Sequence, residues 1–216
     1  MHHDPVFLCV IFFWFSLPVS LADNDIIMAL ECCEQGDLAR VLESHREQGT
    51  VIPEQQLWVW FRQITDAVCC MHEHRVMHRD IKPNNIFVTT DGTAKIGDLG
   101  LSRFMSSQTM QVQSMVGTPC YMSPEVIRGL PYDFSSDVWG LGCLLYEMTA
   151  LKVPFYSPKL NYYTLGKKIT TCDYEPLPDS VSPAIRDTVG LLLRSEPQDR
   201  PTAQQLLDRV SSFLTS

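Results

Sequence analysis

The stretch "VMHRDIKPNNIFV", residues 76–88, sets one acid, three bases and two amides between two short apolar runs. Those residue types at those offsets suit phosphoryl transfer. A hydroxyl attacking a γ-phosphoryl group needs an acceptor for its proton, a cation on the transferring phosphate and an oxygen ligand for Mg²⁺. Asp80 can take the proton, Lys82 can reach the phosphate, and Asn85, five residues after Asp80, can offer its amide oxygen to the metal. Asp98 in "DLG" adds a second, charged metal ligand at short range. Asp80 alone could be an ordinary turn residue, but H-R-D-x-x-x-x-N followed closely by D-x-G is rarely supplied by chance.

A loop holds such residues in place only if rigid elements flank it. From Pro53 to Glu73 the apolar positions Leu57, Phe61, Ile64, Val68 and Met71 step by four, three, four and three, which predicts a long amphipathic helix before the loop. Pro53 suits its first turn. After the loop, "NIFV" (85–88) and "AKIG" (94–97) flank "TTDGT", a hairpin signal through Asp91-Gly92. Upstream, "DIIMALECC" (25–33) reads as a buried strand that Gly36 ends, and Asp37 can cap a short helix running through Arg46. Downstream, helical patterns cover 137–150, 183–194 and 202–214, with Pro and Gly between them.

Size and composition are consistent with one globular unit. A chain of 216 residues can bury one sizeable core. A net charge of −8 argues against a nucleic-acid groove or an anionic membrane surface as main partner. The eight cysteines include no C-x-x-C, so zinc spacing is absent, and they read as reduced thiols, several of them buried.

Beyond these derivations, the chain resembles the eukaryotic protein kinases from about Asp25 to the C-terminus. "HRDIKPNN" and "DLG" match the catalytic and metal-binding loops, "GTPCYMSPE" (117–125) the end of the activation segment, and "SSDVWGLGCLLYEM" (135–148) the core helix of the large lobe. Lys82 in "DIKPNN" is the serine/threonine pattern. "DLGLSRF", "SMVGTPCYMSPE" and "CLLYEMTALKVPF" are most similar to the NIMA-related kinases, where Leu often replaces the Phe of D-F-G.

The resemblance implies an α+β, kinase-like fold, with ATP and Mg²⁺ as cofactors and proteins bearing Ser or Thr as substrates. It assigns Asp80, Lys82, Asn85 and Thr118 to catalysis, Asn85 and Asp98 to the metal, and Leu30, Glu31, Cys33 and Phe87 to the adenine pocket. It makes Ser114 the phosphoacceptor for an upstream kinase, with Arg79 reading the phosphate. It pairs Glu125 with Arg200 and sets Asp137 to hold the catalytic-loop backbone. His78 and Leu99 are assigned to the apolar stack.

In one respect the chain departs from that family. Kinases cover the phosphates with a Gly-rich strand-turn-strand and pair them with a strand lysine. Here no Gly precedes Gly36 and no Lys precedes Lys82. The expectation is therefore a mainly helical large lobe with a hinge strand (25–216), most of the β-rich small lobe being absent, behind an apolar segment (1–24). That segment reads as a signal peptide lacking its basic n-region, as a core strand, or as a substitute first exon; its apolar run, 6–17, is shorter than the ~20 residues a spanning helix needs. Without secretion the expected compartment is cytoplasmic or nuclear. Two functions stay open: a serine/threonine kinase by descent, and an inactive fragment acting as a binding module or decoy.

Overall fold

The computed structural model describes residues 20–22, 25–27, 33, 35–97, 119–155 and 161–214. Helices α1 (Leu38–Gln48), α2 (Glu54–Glu73), α3 (Pro124–Ile127), α4 (Phe134–Ala150), α5 (Tyr162–Thr170), α6 (Pro183–Leu192) and α7 (Ala203–Leu214) make up most of it. Two antiparallel pairs, β1 (Ser20–Ala22) with β2 (Asp25–Ile27) and β3 (Ile86–Val88) with β4 (Ala94–Ile96), supply its only strands among the described residues. This is the mainly helical α+β architecture that the sequence implied.

Local chemistry accounts for most boundaries. Asp37 accepts a hydrogen bond from Arg40 N at 2.8 Å and starts α1, and Gly49, with φ of +64°, closes it in the left-handed region that glycine enters without steric cost. All five apolar positions expected to line α2 are buried, but so are Trp58, Trp60, Ala67 and Cys69. The helix is covered on several sides because α7, β4 and α4 all pack on it. Pro53 sits one residue earlier than expected, at the N-cap.

The hairpin turns through Asp91 and Gly92, whose φ is +81°, and pairs Ile86 with Ile96 and Val88 with Ala94. Two side chains of α2 pin it. Trp60 Nε1 donates to Gly92 O at 2.8 Å, and Gln63 Oε1 accepts from Ala94 N at 2.9 Å. The hairpin that follows the 76–85 loop is thereby fixed to the helix that precedes it.

Helix α4 lies at the centre of the lobe. A capping box between Asp133 and Ser136 starts it at Phe134, three residues before the expected 137. Trp139, Leu141, Leu144, Leu145 and Tyr146 are at most 1% exposed, and Trp139 stacks on Phe155 at 5.5 Å. Two of its glycines allow this depth. A Cβ on Gly140 would lie 3.1 Å from Ile81 Cβ in the catalytic loop, and one on Gly142 would lie 2.8 Å from Leu192 Cβ.

The structure adjusts several expectations. The strand expected over 25–33 is described as Asp25–Ile27, paired with Ser20–Ala22; residues 28–32 lie outside the described residues. Helix α6 ends at Leu192 rather than 194, because Leu193 turns to φ −87° and ψ +59°. The short α3 and α5 were not anticipated, α5 because its apolar signal is only Leu165 and Ile169 among polar neighbours. Cys69, Cys120, Cys143 and Cys172 are free thiols, but Cys70 is in a disulfide, which overturns the all-reduced reading. Among the described residues no helix is long and apolar enough to cross a membrane.

Gly142→Ala should destabilise the lobe by ~1–3 kcal/mol through overpacking against α6. Gly190→Ala, where a Cβ would meet nothing within 4 Å, should be neutral or stabilising by about 0.5–1 kcal/mol. Urea unfolding of both variants checks the contrast.

Candidate active site

Asp80, Lys82 and Asn85 come together at the mouth of the loop. Lys82 Nζ lies 2.7 Å from Asp80 Oδ2. Asn85 Nδ2 donates to Asp80 O at 2.7 Å and to Asp80 Oδ2 at 2.8 Å. Two acceptors can be faced only by the NH₂ group, so the amide orientation is determined and Asn85 Oδ1 is left as an available acceptor. The Asp80 side chain is 43% exposed, whereas Asn85 is 5% exposed: the acid is open to a reactant and the amide that orients it is fixed. A 3₁₀ turn at Pro83–Asn85, closed by Asn85 N donating to Lys82 O at 3.0 Å, sets the spacing between them.

The loop backbone is held from beneath. Asp137, fully buried in the first turn of α4, accepts His78 N at Oδ2 and Arg79 N at Oδ1, both at 2.9 Å. Arg79 has φ of +72°, a strained conformation for a residue with a Cβ, and this bond helps to hold it there. Tyr132 Oη donates to Asp137 Oδ1 at 2.6 Å, and His72 Nε2 lies 2.8 Å from Oδ2. Burial would raise the Asp137 carboxyl, but the bonds from His72, Tyr132 and the two backbone amides outweigh it and hold it below its ordinary value.

His78 is fully buried. Its Nδ1 accepts from Asp80 N at 3.3 Å, so Nε2 carries the proton donated to Gly97 O at 2.9 Å. The ring ties Asp80 to Gly97, the residue that follows β4 and precedes Asp98.

A second buried charge pair lies at the far side of α4. Arg200 donates through Nη1 to Glu125 Oε1 at 2.9 Å and through Nη2 to Glu125 Oε2 at 2.8 Å, while its remaining N–H groups reach the Arg194, Ser135 and Ser195 carbonyls. Every donor of the fork is engaged, and its face lies 5.1 Å from the Trp139 ring. Burial would raise the Glu125 carboxyl, yet Arg200 and Ser136 hold it at about 2 against an ordinary 4.5.

Of the remaining candidates, Arg79 has an exposed side chain, and Phe87 is half-buried on β3 opposite Lys95. Cys33 is a half-buried thiol whose carbonyl accepts Gly36 N at 2.9 Å. Leu30, Glu31, Asp98, Leu99, Ser114 and Thr118 lie outside the described residues. Sequence reasoning missed His72 and Tyr132. No spacing rule links either to Asp137, which is 65 residues beyond the first and five beyond the second.

The protein kinase domain family matches residues 15–210, and the chain belongs to that family. Its relatives include the mouse serine/threonine-protein kinase Nek3, 39% identical over 190 residues, covering 88% of this chain and 36% of Nek3. Mouse serine/threonine-protein kinase Nek4 is 36% identical over 185 residues, 86% of this chain and 23% of Nek4. The probable serine/threonine-protein kinase nek2 of Dictyostelium discoideum is 36% identical over 185 residues, 84% of this chain and 44% of that protein. The chain thus spans less than half the length of these curated relatives.

Removing one partner of the buried pair, as in Arg200→Met, should cost ~3–5 kcal/mol at neutral pH, because Glu125 is left desolvated and uncompensated. Glu125 has a depressed folded-state pKa, so its contribution is fully present above its ordinary 4.5 and is lost as pH falls through about 2. Glu125→Gln should therefore flatten the dependence of stability on pH across that window, as measured by denaturant unfolding at each pH.

Proposed function

We propose that this chain provides the catalytic large lobe of a serine/threonine protein kinase of the NIMA-related type, transferring the γ-phosphoryl group of ATP to a protein hydroxyl. The observation that supports this best is the Asp80–Lys82–Asn85 cluster, three side chains within 2.8 Å of one another along the chain of contacts, on a loop whose backbone a buried carboxylate holds. In this reading Asp80 accepts the proton of the attacking Ser or Thr hydroxyl, and Lys82 places positive charge beside the transferring phosphate. Asn85 Oδ1 and Asp98 would hold Mg²⁺, which neutralises phosphate charge when it is bound with ATP. Phe87, with Leu30, Glu31 and Cys33, would meet the adenine.

Regulation belongs to the same reading. Ser114 is the proposed phosphoacceptor for an upstream kinase, and the exposed Arg79 guanidinium, at the head of the catalytic loop, is its proposed reader. Thr118 would brace Asp80 and Lys82. Ser114→Ala in an active form should lower kcat, and an unchanged kcat with another residue of 102–118 essential would overturn the assignment.

A second reading has one specific observation in its favour. Within these 216 residues there is no Gly before Gly36 and no Lys before Lys82, so they contain no glycine-rich cover and no strand lysine for the α and β phosphates. A chain of these residues alone would act by binding, as a decoy for partners or substrates of an active kinase.

The two readings separate in one assay. The purified 216-residue chain should phosphorylate protein substrate no faster than its Asp80→Asn variant, since each missing electrostatic donor costs on the order of 10²- to 10³-fold. A kinase small lobe supplied ahead of Asp25 should raise the rate well above that blank. Activity of the isolated chain would overturn the binding reading, and an inactive chimera with a folded lobe would overturn the catalytic one.

A further inference from the structure

Helix α5 turns two large aromatic side chains into solvent. Tyr162 is 58% exposed and Tyr163 79%, whereas every other tyrosine among the described residues is at least partly covered. The helix that carries them is well anchored. Asn161 Oδ1 accepts Thr164 N at 2.8 Å and Thr164 Oγ1 accepts Asn161 N at 3.1 Å, a capping box that fixes its start. On its inner face Leu165 and Ile169 are buried, and a Cβ on Gly166 would lie 3.2 Å from Ile127 Cγ2 of α3. The outer face, with Tyr163 and Lys167 one turn apart, therefore stands on a rigid support.

Charge gives that face its sign. From 148 to 172 the sequence holds Lys152, Lys159, Lys167 and Lys168 and no Asp or Glu, within a chain whose net charge is −8. Lys152 is matched by Glu175 at 2.6 Å and Lys168 by Asp173 at 3.2 Å. Lys167 is exposed and has no ion pair among the described residues. An exposed cation one turn from an exposed ring complements a carboxylate beside an apolar side chain, and tyrosine is among the residues that dominate interface energetics. A nucleic acid or an anionic membrane fits this face less well. One unmatched lysine neutralises few phosphates, and the acidic excess of the rest of the chain repels a polyanion.

We propose that the outer face of α5, centred on Tyr162, Tyr163 and Lys167, is a docking surface for an acidic segment of a partner protein in which carboxylates flank an apolar side chain. The face shares no residue with the Asp80–Lys82–Asn85 cluster, so docking is read without any catalytic measurement.

The test is fluorescence anisotropy of a labelled Glu-Glu-Phe-Glu-Glu peptide titrated with the 216-residue chain. Binding should be saturable and should weaken as salt is raised. Tyr163→Ala and Lys167→Glu should each weaken it by about tenfold or more, the scale of an interface anchor. Val51→Ala, which truncates an apolar residue 71% exposed on the connection from α1 to α2, should leave it unchanged. Should a variant fail to fold, ¹H–¹⁵N spectra of the unsubstituted chain decide: peptide-induced shifts should centre on residues 161–168, and shifts centred elsewhere would overturn the proposal. It would equally be overturned by the absence of saturable binding, or by native affinity in both folded α5 variants. Tighter binding of oligouridylate or of phosphatidylserine vesicles to the same face, or self-association of the chain that Tyr163→Ala abolishes, would replace the acidic partner with another occupant and so refute it.

Discussion

The buried carboxylate of Asp137 is the constraint on which the site depends. An anion at zero exposure is costly unless its lone pairs are met, and here four donors meet them at 2.6–2.9 Å. Two of those donors are consecutive backbone amides of the loop, so the desolvation cost of one side chain is turned into a requirement on loop shape. A neutral apolar residue at the same place could fill the volume but could not hold Arg79 at a positive φ.

That constraint is transmitted because α4 is itself buried and closely packed. Its capping box at Asp133 fixes where the helix begins, Gly140 lets Ile81 of the loop approach it closely, and Gly142 lets the end of α6 do the same. The Glu125–Arg200 pair then ties α3 and the turn at Pro197–Asp199 to the same helix, with Ser136 Oγ reaching Glu125 at 2.5 Å. Two buried charge systems therefore bracket the first turn of α4. One holds the loop backbone at His78 and Arg79 and the other holds the short helix α3. Such pairs specify geometry more than they add stability, since an apolar replacement of both partners can be neutral while the loss of one is severe.

Much of this arrangement was legible in the chain. The four-three stepping of α2, the Asp91-Gly92 hairpin and the Asp37 cap are short-range signals, and they are set by contacts within a few residues. The Glu125–Arg200 pairing and the task of Asp137 came from family resemblance, because 75 residues separate the first pair and no local rule joins them. His72 and Tyr132 had no signal of either kind. A histidine late in an amphipathic helix and a tyrosine beside a proline read as ordinary until the fold sets them on one carboxylate. Helix α5 was missed for a different reason: nine residues with two apolar anchors carry too little periodicity to stand out. The serine/threonine kinase family was visible throughout, because residue type and offset in "HRDIKPNN" are dictated by the chemistry rather than by packing.

The shape of the loop depends on the charge on Asp137. The most direct measurement is amide exchange across residues 76–85 in Asp137→Asn, which keeps the size of the side chain but replaces one anionic acceptor with an amide. Protection of the loop should collapse, with His78 and Arg79 most affected, while the buried amides of α2 and α4 exchange as before. A loop that retains its native protection in the folded Asn variant would contradict that dependence.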